Sequence, residues 1–171
     1  MLEGEPGHQD ALLRTEYSIK ALTDGGVEVE KLVSDTANWN RAQASARTAQ
    51  WLEELGGEIE VIFANNDDMA LGAIDALTEG QRERQEWPLI VGVDATSPAM
   101  EAVESGQLYG TVHNDGWGQA KAMLELALAL WNGEDPTQTV DLEEDHYVWL
   151  PYRMVTRENL EQFRQQAPQS R

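Results

Sequence analysis

The sequence predicts an α/β fold, a parallel sheet flanked by helices on both faces, and three observations point to it. Apolar residues alternate along the chain between a helical period and a period of two. Glycine pairs and single prolines punctuate the changeovers. The length of 171 residues suits one ordinary domain with a core of its own. Strands separated by helices of this size imply parallel pairing, because a parallel neighbour is reached only through a long crossover.

Each element has its own signal. In "DALLRTEYSIKALTDGG" the apolar residues Leu13, Tyr17 and Ala21 recur at helical spacing, and Gly25 and Gly26 suit the stop. "VEVEKLVS", Val27 to Ser34, alternates as a half-buried strand does. A second helix from Arg41 to Leu55, with Ala42, Ala46, Ala49 and Leu52 on one side, leads through Gly56 and Gly57 into the strand "EIEVIFA". Asp67 can cap the following helix, since a carboxylate accepts from the free amides of a first turn. "PLIVGV" reads as a strand, "SPAMEAVESG" as a short helix with Ser97 as cap and Pro98 at its first position, and "LYGTVH" as a strand. A long helix runs from Trp117 to Trp131. A loop at "NGEDPTQ", two extended pieces, "TVDL" and "HYVWLP", and a last helix from about Thr156 complete the chain.

Composition narrows the function. The formal charge is -19, from 31 acidic against 12 basic residues, and phosphates want the opposite surface, so nucleic acid is excluded as a partner. The acids are spread along the chain and lysine occurs only at Lys20, Lys31 and Lys121, which describes a solvated, self-repelling surface of the kind suited to salt. With no cysteine, disulfides, thiolate metal sites and thiol nucleophiles fall away. No apolar run approaches the ~20 residues of a membrane span, and "MLEGEPGHQD" has neither the basic nor the apolar region of a signal peptide, so a soluble chain without membrane insertion is expected.

In open α/β sheets ligands bind beyond the carboxyl ends of the strands. There the sequence puts "DTANW" ending at Trp39, then Asn65, Asn66 and Asp67, then Asp94, then His113, Asn114 and Asp115. Amides and carboxylates supply the paired donors and acceptors that sugar hydroxyls need, and a flat ring suits the C–H face of a pyranose. Asp67, Asp68 and Asp115 are read as turn formers or helix caps. Trp39 is open to two readings, as a cover for the core or as a stacking ring. No G-x-S-x-G elbow, phosphate-cradling P-loop, H-E-x-x-H or twelve-residue calcium loop is present. His8 and Asp10 have no third metal ligand at a readable spacing, and Glu143 to His146 reads as a solvated loop. Asp94 and Asp10 could approach as a glycosidase pair, but neither has a local feature that would raise its pKa.

The stretches "GEPGHQDALLRT", "DTANWNRAQA", "EVIFANNDDMALGAIDAL", "VGVDATSPAMEAVESGQLYGTVHND" and "LPYRMVTRENL", in this order, resemble the D-galactose/D-glucose-binding proteins of bacterial periplasms, members of the type I periplasmic binding proteins. The resemblance implies that His8, Asp10 and Arg14 hydrogen-bond sugar hydroxyls, that Trp39 stacks on the pyranose, and that Asn66, Asp94 and Asn114 complete the polar ring. It implies no enzyme activity, but capture of a monosaccharide in the periplasm or outside the cell. An ABC permease and, for chemotaxis, a chemoreceptor would be partners of the intact form. Family members have two lobes that close on the sugar, and the chain corresponds to the C-terminal part: residues 1–114 with 151–171 form the sugar-binding lobe, and 115–150 belong to the other. A calcium loop of the family is missing. Glu60 matches its completing glutamate as a remnant, and one carboxylate falls short of the about six or more oxygens calcium takes. No other cofactor is implied. Because the helix Trp117 to Trp131 and the strand Tyr147 to Leu150 would lack their sheet, residues 117–150 are expected either to self-associate or to be mobile. Two other readings stay open: the effector domain of a sugar-responsive transcription regulator, which shares the fold, and a glycoside-processing enzyme.

Overall fold

The computed structural model of the chain describes residues 1–144 and 146–164. Among the described residues six strands and six α-helices alternate: β1 Leu2–Glu3, α1 Gln9–Asp24, β2 Asp35–Thr36, α2 Arg41–Glu54, β3 Val61–Phe63, α3 Asp67–Glu79, β4 Leu89–Val91, α4 Ser97–Ser105, β5 Gly110–His113, α5 Gly116–Asn132, β6 Arg153–Thr156 and α6 Leu160–Arg164. β1 pairs with β2, β3 with β4 and β4 with β5, all in parallel, and a parallel bridge from Leu2 to Ala64 joins the two ladders. The resulting order is β2-β1-β3-β4-β5-β6. The predicted α/β class with a parallel sheet flanked by helices is the one observed.

One core organises these elements. Leu2, Ile62, Ile90 and Val155 point from the strands into a cluster with Trp51 and Leu52 of α2, Met69, Ala73 and Leu77 of α3, Val103 of α4, and Leu160 and Phe163 of α6. Because strand side chains alternate, Phe63, Val91 and Met154 face the other way. On that side Arg14 and Ser18 of α1 line an open hollow with them and with Tyr109. This face is the less covered one, since Tyr109 and Met154 are exposed.

Several local expectations change. The N-cap of α3 is Asn66, whose side chain accepts from the Met69 amide, so Asp67 is not the cap. The N-cap of α4 is Thr96, not Ser97, so Ser97 is the first helical residue and Pro98 stands at the second position, not the first. α2 buries Ala44, Thr48, Trp51 and Leu52, while Ala42, Ala46 and Ala49 are exposed. α1 buries Ala11, and Leu13, Tyr17 and Ala21 lie on its exposed side. Val27 to Ser34 forms no ladder, and only Asp35 and Thr36 beyond it pair. β6, which the sequence reading leaves unassigned between "HYVWLP" and a helix from about Thr156, pairs antiparallel with β5. Tyr147 to Leu150 is not a strand, although Glu143 and Tyr147 form an isolated bridge. The last helix starts at Leu160. Asp145 and everything after Arg164 lie outside the described residues. Among the described residues no helix is long and apolar enough to cross a membrane.

Candidate functional site

The carboxyl ends of the strands meet at Arg14. The start of α1 brings it there: His8 is the N-cap, its Nδ1 accepting from the Asp10 amide at 3.2 Å, and a neutral ring with the proton on Nε2 is the form that can do so. Arg14 follows four residues after Asp10 on the same face. Its Nη1 donates to the Asn65 carbonyl at 2.8 Å and lies 3.6 Å from Asp94, while Nη2 lies 3.4 Å from Asp10 and 3.5 Å from the Tyr152 hydroxyl. Two carboxylates and a carbonyl thus fix one guanidinium whose side chain is only 16% exposed. An arginine held this way presents its remaining N–H groups with little freedom left to lose.

Trp39 stands beside this fork. Its ring centroid is 5.3 Å from that of His8 in an edge-on arrangement and 5.9 Å from the Arg14 guanidinium carbon. Trp39 also packs against the core cluster, and a side-chain carbon at Gly4 would run into its indole. Both readings offered for this residue therefore have a physical basis: one part of the ring covers Gly4, and the ring remains partly exposed. Asn38 and Trp39 both carry positive φ, at 51° and 60°, and Asp94 and Ala95 do so at 121° and 55°. Non-glycine residues in this region are uncommon and tend to gather where a site imposes the backbone.

Asp94 joins the cluster through Arg14 and through Asn114, whose Nδ2 reaches the Asp94 carboxylate at 3.5 Å. Burial pushes the Asp94 carboxyl above its ordinary range; Arg14 and Asn114 oppose this, and the nearby charges of Asp68 and Asp10 add to it. Of the paired amides, Asn66 spends its oxygen on capping α3 and is half-buried, so its Nδ2 is the group left for a ligand. Asn65 does a different job. It is buried, accepting from the Gly4 amide at 3.0 Å and donating to Thr15 at 3.1 Å, while its carbonyl holds Arg14. Asp115 caps α5 by accepting from the Gly118 amide, as its place in the sequence suggests.

His8, Asp10, Arg14, Trp39, Asp94 and Asn114 are thus linked by contacts, while Asn66 lies one residue from the carbonyl that anchors Arg14. Sequence reasoning placed Asn65 at a strand end without giving it a role in the site, and did not single out Tyr152. The first is hidden in a pair of identical amides, and the second lies in "LPYRM", where no spacing signals a polar site. Glu60 is exposed, and among the described residues no group of three His, Cys, Asp or Glu comes together as metal ligands. This donor set does not fit calcium, which takes about six to eight oxygens.

Residues 1–135 match the family described as Periplasmic binding protein domain. The chain is 40% identical over 165 residues to the D-galactose/methyl-galactoside binding periplasmic protein MglB of Haemophilus influenzae, covering 95% of this chain and 49% of that protein. An ABC transporter solute binding protein from Bacillus halodurans, solved with bound myo-inositol, superposes with a TM-score of 0.81 at 34% identity, over 97% of this chain and 53% of that one. A periplasmic solute binding protein from Actinobacillus succinogenes with bound D-allose gives 0.80 at 26% identity, over 94% and 53%. The chain spans about half the length of the curated relatives it matches.

Proposed function

We propose, from the premise that this chain belongs to the periplasmic binding protein domain family, that it forms one half of a binding site for a monosaccharide or cyclic polyol and carries out no catalysis. The observation that carries this is the fixed Arg14 fork: one guanidinium held by Asp10, Asp94 and the Asn65 carbonyl, with the Trp39 ring 5.9 Å away and Asn114 on Asp94. Each hydroxyl of a sugar donates and accepts, so alternating carboxylates, amides and a guanidinium meet it on all sides of the ring plane. Trp39 supplies an apolar face for its C–H groups. In this reading His8, Asp10, Arg14, Asn66, Asp94 and Asn114 are the polar contacts.

The ligand class is a six-carbon sugar of the D-galactose or D-glucose type, a reading supported by the name of the 40% identical relative, while two structural neighbours hold myo-inositol and D-allose. Residues 1–114 with 151–171 make up the ligand-binding lobe, and 115–150 belong with a second lobe. Supporting this, α5 buries only Ala129 among the described residues, leaving Trp117, Met123, Leu124, Leu128, Leu130 and Trp131 exposed. In a two-lobed protein, closure on the sugar adds contacts from both sides and shifts the population toward the closed form. That closed form would present itself to an ABC permease, and to a chemoreceptor where chemotaxis is coupled, outside the inner membrane.

Calorimetry of the chain with D-galactose, D-glucose, D-allose, D-ribose and myo-inositol tests the reading. Binding of at least one, in the millimolar range expected of half a site, supports it. Heat of dilution alone with all five, for a chain shown to be folded, removes it.

A further inference from the structure

We infer that Asp67, with Thr111, is a positioning residue for the site: together they hold the loop Asp94 to Thr96 so that the Asp94 carboxylate meets Arg14. This rests on the reading of Asp94 as a ligand contact. Asp67 is the first residue of α3, where a carboxylate usually serves the amides of its own helix. Here Asn66 does that, and both Asp67 oxygens are spent elsewhere. Oδ2 accepts from the Thr96 amide at 2.8 Å, and Oδ1 accepts from the Thr111 hydroxyl at 2.6 Å. The Thr111 oxygen in turn accepts from the Ala95 amide at 3.3 Å. The two amides that follow Asp94 are therefore both tied, directly or through one hydroxyl, to a single carboxylate.

The tie bears on a segment that needs one. Asp94 and Ala95 carry φ of 121° and 55°, a conformation that persists only where the surroundings hold it. Backbone bonds from the Asp94 amide to Val112 and from Asn114 to the Asp94 carbonyl fix the loop at its start, and the Thr96 carbonyl accepts from Met100 in α4, leaving the Ala95 and Thr96 amides to the side-chain pair. Asp67 and Thr111 are both buried, and the carboxylate occupies the space a side-chain carbon at Gly92 would need, so the glycine is what leaves room for it there. A charge buried this deeply, with no cation among its hydrogen-bond partners, gives a core less than a well-packed apolar side chain would. Its return is the geometry of the loop.

The test uses the whole chain. In Asp67→Ala both acceptor oxygens are lost and the ties to the Thr96 amide and the Thr111 hydroxyl break together; Thr111→Val removes the hydroxyl and Thr111→Ser restores it. Sugar affinity is measured by calorimetry and hydrogen exchange by NMR at the Ala95 and Thr96 amides, with the β5 amide of Val112 as an internal reference for the fold. We expect about tenfold weaker binding and faster exchange at residues 95 and 96 in Asp67→Ala and Thr111→Val, an unchanged Val112, and near wild-type behaviour in Thr111→Ser. Should Asp67→Ala not fold, the Thr111 pair carries the same comparison. Unchanged exchange at both amides overturns the inference, as does faster exchange with unaltered affinity. If the wild-type chain binds no sugar, it is the reading of the site that falls, and the exchange rates alone decide whether Asp67 holds the loop.

Discussion

At Arg14 a single planar group serves Asp10, Asp94 and the Asn65 carbonyl, and a lysine cannot, because its ammonium is a point charge without a fork. Arg14→Lys is expected to weaken sugar binding about tenfold or more with little loss of stability, measured by calorimetry and urea unfolding. Arg14→Gln should move the Asp94 carboxyl further up, since the guanidinium is the main group opposing the push of burial; a 13C carboxyl titration checks this. Asp67 gives a prediction about stability and pH. Its carboxyl is pushed up to about 6, by burial first and by the charge of Asp94 in addition, against the Thr111 hydroxyl and the Thr96 amide. A raised carboxyl binds its proton more tightly in the folded chain. Its contribution therefore falls by ~3 kcal/mol as pH rises from 3.8 to about 6, and is recovered on acidification. Urea unfolding across this interval should show a smaller gain on acidification for Asp67→Asn than for the wild type. Asp115 as a cap was legible in the sequence. The division of labour among Asn65, Asn66 and Asp67 was not, because three adjacent polar residues after a strand look alike until the strand's end fixes which way each points.

Among the elements, α2 and α3 approach each other closely at Gly72. A side-chain carbon at Gly72 of α3 would collide with the Arg41 carbonyl of α2 and lie 2.9 Å from the Ala44 side chain. Because the obstacle is backbone, it cannot move aside. Gly72→Val is expected to destabilise the chain by ~1–3 kcal/mol, read from the midpoint of urea unfolding. The alternation of elements was legible, since helix and strand periods differ widely. The buried face of α2 was not: alanine is apolar enough to mark either side, and Trp51 and Thr48 decide the matter only once the sheet is in place. β6 escaped because "RMVT" is short and gains its partner, β5, from far along the chain. Val27 to Ser34 illustrates the converse, an alternating pattern without a ladder beside it.

The whole molecule combines a well-packed core with an apolar arm. Trp131 is 87% exposed and Met123 71%, and together with Trp149 at 67% they form surface of the kind that drives association. Sedimentation velocity of the chain is expected to show concentration-dependent self-association that Leu124→Ser with Trp131→Ser reduces, the net charge of -19 making it stronger at high salt. Whether the groups around Arg14 form half of a sugar site is decided by an NMR titration of the labelled chain with D-galactose and D-glucose at millimolar concentration. Saturable shifts confined to the Trp39 indole and the amides around Asn66, Asp94 and Asn114 are predicted, and their disappearance in Arg14→Lys. Well-dispersed resonances that do not move, or shifts centred away from Arg14, would contradict it.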